Sequence, residues 1–458
     1  MAGIGFELRR LTGLRSGLLS KLRAYTSAGL ISSGPWILTA VTLACVSLGG
    51  GFASSQTDEL FRALVTYGFA FSLMTVGAVQ MALTRWIADR LYLREYDRIL
   101  SAYLACCSVV GVLQALVAVA FCLFSGFEIT TTYLATALYT IICLTWLALI
   151  WLTVIREYNQ ILVSFGLGMA VSVGAMYYWG SDGDLDGYLA SYGAGQALTF
   201  VLLTRLLVRG MRSDGPRDFS VWKSPLQYKA LLGTGITYSL GIWVDKVIFW
   251  FQEGLEASSL VRFHPLYDTC SFLAYVTVIP ALCINLIHLE TSFYERYVAY
   301  YRAILGHQPL HVIDREREGM FASLRCGIVQ LLRVQGAITA AVVVLAPIVL
   351  SVLGLPETAV RLFRLTSLGA FFHVLLLITI LVQLYFDLRV AAFMSATVFL
   401  VSNAGLTLWS QALGFDYYGL GYASAALVSV VTAYALLDRG LRWLEYETFA
   451  SQLRPKPS

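Results

Sequence analysis

The chain reads as an all-α polytopic membrane protein, with about 12 transmembrane helices in two pseudo-symmetric six-helix lobes. Three observations predict this. Of 458 residues, 58% are hydrophobic and 13% charged, roughly half the ~25% charge content of soluble domains. Apolar runs of about 18 or more residues, each long enough to cross ~30 Å of hydrocarbon, recur along the whole length. Finally, 26 of the 32 lysines and arginines fall in the segments that alternate counting places on the same side as both termini.

The expected spans are 24–48, 60–84, 99–124, 132–154, 161–180, 189–208, 230–251, 265–291, 326–353, 361–386, 391–412 and 419–437. The positive-inside rule makes the basic face, and with it both termini, cytoplasmic. The opposite loops are short and leave no room for a folded domain. MAGIGFELRR lacks the apolar core of a cleavable signal. The eight cysteines lie in or beside apolar runs without C-x-x-C spacing, as small buried hydrophobes do.

Domain organisation follows from polarity. Residues 1–23 form an amphipathic segment with an apolar stripe of Ile4, Leu8, Leu11, Leu18 and Leu22. Residues 24–208 make the N-lobe, 209–229 a polar linker, 230–437 the C-lobe with an inward loop 292–325, and 438–458 a tail. Offsetting the chain by 206 residues aligns AYTSAGLISSGPWILT with ALLGTGITYSLGIWVD, which pairs Gly29 with Gly235 and Ser33 with Ser239. With six spans on each side of the linker, this supports two similar lobes.

The first span carries Ser32, Ser33, Gly34, Pro35 and Trp36. Proline removes a backbone donor and clashes with the carbonyl four residues back. Two readings stand: close packing through small residues, or a bend lining a water-filled cavity, where broken backbone is tolerated. In the seventh span, Ser239, Trp243, Lys246 and Trp250 share one helical face, and Tyr238, Gly241, Asp245 and Phe249 the next. Charges at that depth mark a functional site unless Lys246 snorkels to the surface. The eighth span has Pro280 near its centre, with Asn285, His288 and Glu290 towards the basic face. Gln80, His373 and Gln383 are expected to bridge helices. In the loop 292–325, Tyr294, Tyr297 and Tyr301 follow i, i+3, i+7 beside Arg302. That pattern fits an interfacial helix or a docking site for a cytosolic partner.

The acidic turn SDGDLDG has Gly193 where a calcium loop needs glutamate. Walker, metal-triad and nucleophile-elbow patterns are missing from the sequence, so it is read as neither an enzyme nor a nucleic-acid binder, and it calls for no cofactor.

GIGFELR (Gly3–Arg9) and SSGPW (Ser32–Trp36) resemble the start of the PelG family, inner-membrane transporters of the Pel exopolysaccharide system. These belong to the superfamily of multidrug/oligosaccharidyl-lipid/polysaccharide exporters. The resemblance implies two lobes around a central cavity lined by the first and seventh spans. It also implies export of an N-acetylgalactosamine-rich polymer made by a cytosolic glycosyltransferase, in an inner-membrane complex with a cyclic-di-GMP-sensing subunit. Four functions are weighed: export of a growing neutral polysaccharide, flipping of lipid-linked oligosaccharide, ion-coupled drug antiport, and a scaffold for the glycosyltransferase. A pyrophosphate headgroup calls for several cavity arginines, and the first and seventh spans offer one lysine beside an aspartate. Trp36, Tyr238, Trp243 and Trp250 instead offer flat faces suited to sugar rings, which favours the first function.

Overall fold

A computed structural model describes residues 55–155, 157–179, 184–211 and 217–444. The first span, with Pro35 and Trp36, the N-terminal segment and the tail from 445 lie outside the described residues.

Each remaining apolar run is helical. The second to sixth spans are α1 (Ser55–Tyr92), α2 (Asp97–Phe124), α3 (Ile129–Leu152), α4 (Tyr158–Trp179) and α5 (Leu185–Gly210). The seventh is α6 (Lys229–Glu253), followed by a two-stranded hairpin of β1 (Leu255–Glu256) and β2 (Arg262–Phe263). The eighth is divided into α7 (Pro265–Val276) and α8 (Ile279–His288), and a π-helical turn Leu289–Phe293 leads into α9 (Tyr294–Leu305). The last four are α10 (Leu310–Val352), α11 (Ala359–Tyr385), α12 (Arg389–Ala412) and α13 (Leu420–Arg442). Nine helical stretches among the described residues are long and apolar enough to cross a membrane. The helices α5 and α6, of 26 and 25 residues, also have the length; their polar residues dilute the apolar composition.

Small residues set the packing. A Cβ on Gly168 would lie 2.6 Å from the carbonyl oxygen of Gly195, so α4 and α5 touch backbone to backbone. Gly421 brings α13 equally close to the carbonyl of Leu406 in α12. The N-terminal bundle closes around Trp151, whose indole donates to the Ile99 carbonyl (3.0 Å), and Tyr103. The two bundles meet where α1 crosses α6: a Cβ on Gly235 would lie 2.4 Å from the carbonyl oxygen of Ala78.

Two elements depart from the expected form. The helix α10 runs unbroken for 43 residues, about 64 Å at ~1.5 Å per residue and twice the hydrocarbon thickness. Its first part therefore projects beyond the basic face and pairs with α9, making the loop 292–325 a helical hairpin. The described part of the linker from residue 217 is tied to the N-terminal bundle: Asp218 accepts from the Ser220 amide (2.9 Å) and from Arg98 Nε (2.9 Å) at the start of α2.

Candidate functional site

The seventh span, α6, packs on α12 at the side of the C-terminal bundle that meets α1, and carries the charges. Asp245 is fully buried and Lys246 is 6% exposed. Lys246 Nζ lies 3.2 Å from Asp245 Oδ2 and donates to the Ile242 carbonyl at 3.3 Å. It does not snorkel to the surface. Its ammonium is instead surrounded by the rings of Tyr275 (5.3 Å to the centroid), Tyr422 (5.7 Å) and Trp243 (5.7 Å), within the range of cation–π attraction. Asp245 accepts from the Tyr267 hydroxyl (2.7 Å) and from the Asn403 amide (3.5 Å). A buried ion pair persists only when its remaining lone pairs and protons are satisfied, and here neighbouring helices satisfy them.

About two turns of α6 towards the basic face, at Tyr238, lies a second polar hub. His373 of α11 meets Tyr238 through Nε2 (3.2 Å), and Tyr275 (3.1 Å) and Tyr422 (3.0 Å) through Nδ1. Tyr422 also donates to the Tyr275 hydroxyl at 3.0 Å. Five helices thus converge on one buried network. Tyr267, Tyr275, Asn403 and Tyr422 carry no signal in the sequence, since they are scattered over three apolar runs as uncharged residues. Gln383 bridges helices as expected, donating to Ser395 Oγ (3.1 Å) and the Ala433 carbonyl (2.9 Å). Gln80 is exposed rather than bridging.

Trp250 is fully buried. Its indole donates to both Asp268 oxygens (3.0 and 2.9 Å), and its ring stacks on Tyr67 of α1. Tyr67 in turn donates to the Arg262 carbonyl (2.8 Å) and accepts from the Arg262 amide (3.1 Å). Trp243, 6.3 Å from Trp250, buries an indole N–H that has no hydrogen-bond partner among the described residues. At the opposite end of the same seam, the Tyr228 hydroxyl donates to Asp89, which also pairs with Arg85 (3.1 Å). Helices α1 and α6 are therefore joined at both ends.

Pro280 stands in the first turn of α8, just after the break at Thr277–Val278. The Thr277 carbonyl freed by the break accepts from Gln335 Nε2 (2.9 Å) of α10. Asn285 lies half-buried in α8, away from the Asp245 network. In α9, Tyr297 and Tyr301 turn inward, their rings 4.7 Å apart, and Tyr297 packs on Tyr385 and Phe386. Tyr294 is half-buried, and Arg302 is exposed.

Solved structures share this architecture. The chain superposes on an outward-facing multidrug resistance MATE family transporter of the MOP superfamily, with TM-score 0.67 and 12% identity over 96% of this chain and 98% of that one. An inward-facing MATE family transporter gives 0.61 at 11% identity, over 97% and 99%. A MOP superfamily transporter from Pyrococcus furiosus, described by the reverse polarity of its binding pocket, gives 0.64 at 12% identity, over 96% and 98%. No curated protein matches in sequence. The family described as "PelG: Putative exopolysaccharide Exporter (EPS-E)" matches residues 1–449. With that match spanning nearly the whole sequence, the chain belongs to the PelG family of membrane transporters.

Proposed function

We propose that this transporter exports a growing, largely neutral, Pel-like polysaccharide rich in N-acetylgalactosamine across a bacterial inner membrane. A cytosolic glycosyltransferase supplies the polymer, and an inner-membrane subunit sensing cyclic-di-GMP joins the complex. The basic face and both termini lie in the cytoplasm. The lobes are 24–208 and 230–437, linked by 209–229. The reading of partners and polymer rests on the family.

The carrying observation is the pairing of Lys246 with Asp245 at 3.2 Å. The one cation of the seventh span is already balanced, which suits an uncharged polymer better than a pyrophosphate-linked one. The Trp243 indole N–H, buried without a partner among the described residues, supplies a donor for a sugar hydroxyl beside Tyr238 and Trp250. The proposed pathway takes in these residues with Pro280 and Asn285 and, from the sequence alone, Pro35 and Trp36, which lie outside the described residues. Replacing Trp243 by Phe keeps the ring and removes the donor; secreted polymer falls while membrane abundance holds. Undiminished secretion would remove Trp243 from the pathway. Ion-coupled drug antiport is the second reading, favoured by the burial of Asp245. It requires Asp245→Asn to abolish drug resistance while leaving polymer secretion intact, the reverse of what export predicts.

A further inference from the structure

The N-terminal bundle contains a cavity of about 210 Å³ between α1, α2, α3 and α5. Its walls include Leu64, Tyr67, Phe71, Ala118 and Leu189, and its rim includes Val117. Val117 is 51% exposed. It lies on the outward face of α2 with Val112, Leu113 and Leu116, all exposed, on a helix of strongly apolar composition. The mouth therefore opens on a surface that faces lipid.

The wall has no use for water. Its few hydroxyls are committed: Thr75 donates to the Phe71 carbonyl (2.9 Å), Tyr139 to Gln114 (2.7 Å) and Tyr67 to the Arg262 carbonyl (2.8 Å). A buried water needs two to four polar partners, so neither water nor a sugar is matched here. An empty void would cost its lining atoms their dispersion contacts. An apolar cavity of about 150 Å³ already accepts benzene, so this one has room for the terminal segment of a hydrocarbon chain.

We infer that the cavity is a binding site for one phospholipid acyl chain, entering past Val117 from the surrounding leaflet. Tyr67 is shared between two sites. It lines the cavity and also stacks on Trp250 across the seam between the bundles. A chain seated in the cavity backs that ring and ties lipid occupancy to the contact between α1 and α6.

The test uses the full-length protein in vesicles of phosphatidylethanolamine and phosphatidylglycerol. A trace of phospholipid carries a photoactivatable diazirine near the end of one acyl chain. After irradiation, adducts are mapped by peptide mass spectrometry. They concentrate on the buried lining at 64–75 and at Cys122, and are lost from those positions in Ala118→Phe and in Ala135→Phe, which fill the cavity by separate routes, while the lipid-facing rim at Val117 stays labelled. Leu116→Phe, on the lipid face but outside the cavity, leaves them unchanged. Retained adducts at Leu123 and Phe124 show that each variant is inserted and folded. Labelling spread evenly along α2, or labelling of the lining that survives both filling variants, overturns the site. The readout needs no transport, so its failure is separable from failure of the export reading.

Discussion

Tyr67 and Trp250 stack with ring centroids 4.8 Å apart and planes 18° apart, joining α1 of one bundle to α6 of the other. The stack is the centre of a larger contact, with Asp268 at the indole N–H and the Arg262 backbone at the phenol hydroxyl. Phe61, Tyr188 and Tyr192 belong to the same apolar cluster. An aromatic pair contributes about 0.5–1.5 kcal/mol beyond its area, or roughly a two- to tenfold change in an equilibrium. Tyr67→Ala should therefore shift the bundles towards separation at this end by at least that factor. Spin labels on α1 and α6, with distances read by pulsed electron resonance, check it. An unchanged distance distribution would make the stack incidental.

The Asp245–Lys246 pair is coupled by burial. Removing one partner leaves an uncompensated charge, at a cost of about 3–5 kcal/mol, whereas replacing both by neutral groups can be close to neutral. Asp245→Asn and Lys246→Met should each lower thermal stability in detergent strongly, and the double variant should recover most of the loss. Additive losses would show that the two side chains act independently. In the Asn variant Oδ1 still accepts from Asn403, while the amide NH2 replaces the oxygen that accepts from Tyr267, whose hydroxyl must turn to accept. The double variant therefore reads charge together with that one reversed hydrogen bond.

The seam depends on the absence of a side chain at Gly235. A Cβ there would lie 2.4 Å from the carbonyl oxygen of Ala78, and backbone cannot swing aside. Ordinary contact is about 3.5–4.0 Å, so Gly235→Ala should part α1 and α6 by about 1 Å and slow export. Gly405→Ala, with nothing within 4 Å of the added methyl, is the matched control. Equal export by both would rule out the close crossing as a requirement.

The linker should respond to acid. Burial alone would raise the Asp218 carboxyl, but the Ser220 and Arg98 hydrogen bonds outweigh it and hold it below its ordinary range. A depressed carboxylate adds stability that is present above its unfolded value, about 3.9, and lost as pH falls through the folded value. Amide exchange of residues 217–224 should stay slow at neutral pH and accelerate only below about pH 4. Asp218→Asn should exchange quickly at every pH. Slow exchange in that variant would show that Ser224, bonded to the Val221 carbonyl (2.7 Å), holds the turn without Asp218.

The helices are legible in the sequence because hydrocarbon imposes a length and a composition. All eleven spans from 60–84 onward fall on helices, and Pro280 marks the break in the eighth. Ends are less legible where a helix outruns the bilayer, since hydropathy reports hydrocarbon thickness and not helix length. That is why 326–353 became Leu310–Val352. At the site, Asp245 and Lys246 stand out as charges in an apolar run. Their surroundings Tyr267, Tyr275, Asn403 and Tyr422 come from three other helical segments, each an ordinary membrane residue until packing brings them together. His373, by contrast, is expected to bridge helices and does so by meeting Tyr238, Tyr275 and Tyr422. Trp250 looked like a free aromatic face, and its neighbour Tyr67 lies 183 positions away in the chain. The i, i+3, i+7 tyrosines of α9 likewise give the helix period, but not which side of the helix meets protein.

That last ambiguity gives a test of partner docking. Tyr297 donates to the Tyr385 carbonyl (3.3 Å), and with Tyr301 it packs into the cluster of Phe293, Tyr300 and Phe386. These two rings hold α9 to the protein. Arg302, by contrast, points outward with Leu305 and Leu310, both more than two-thirds exposed. Tyr297→Ala should therefore loosen the hairpin, seen as faster amide exchange through 294–305, and weaken partner capture only as a consequence. Arg302→Glu should leave exchange unchanged and, if the proposed glycosyltransferase docks on this hairpin, still reduce its co-purification from native membranes, because it alters only the outward surface. If Arg302→Glu retains the glycosyltransferase while Tyr297→Ala loses it, the hairpin's inward packing is what the partner requires, and the contact lies elsewhere on the basic face.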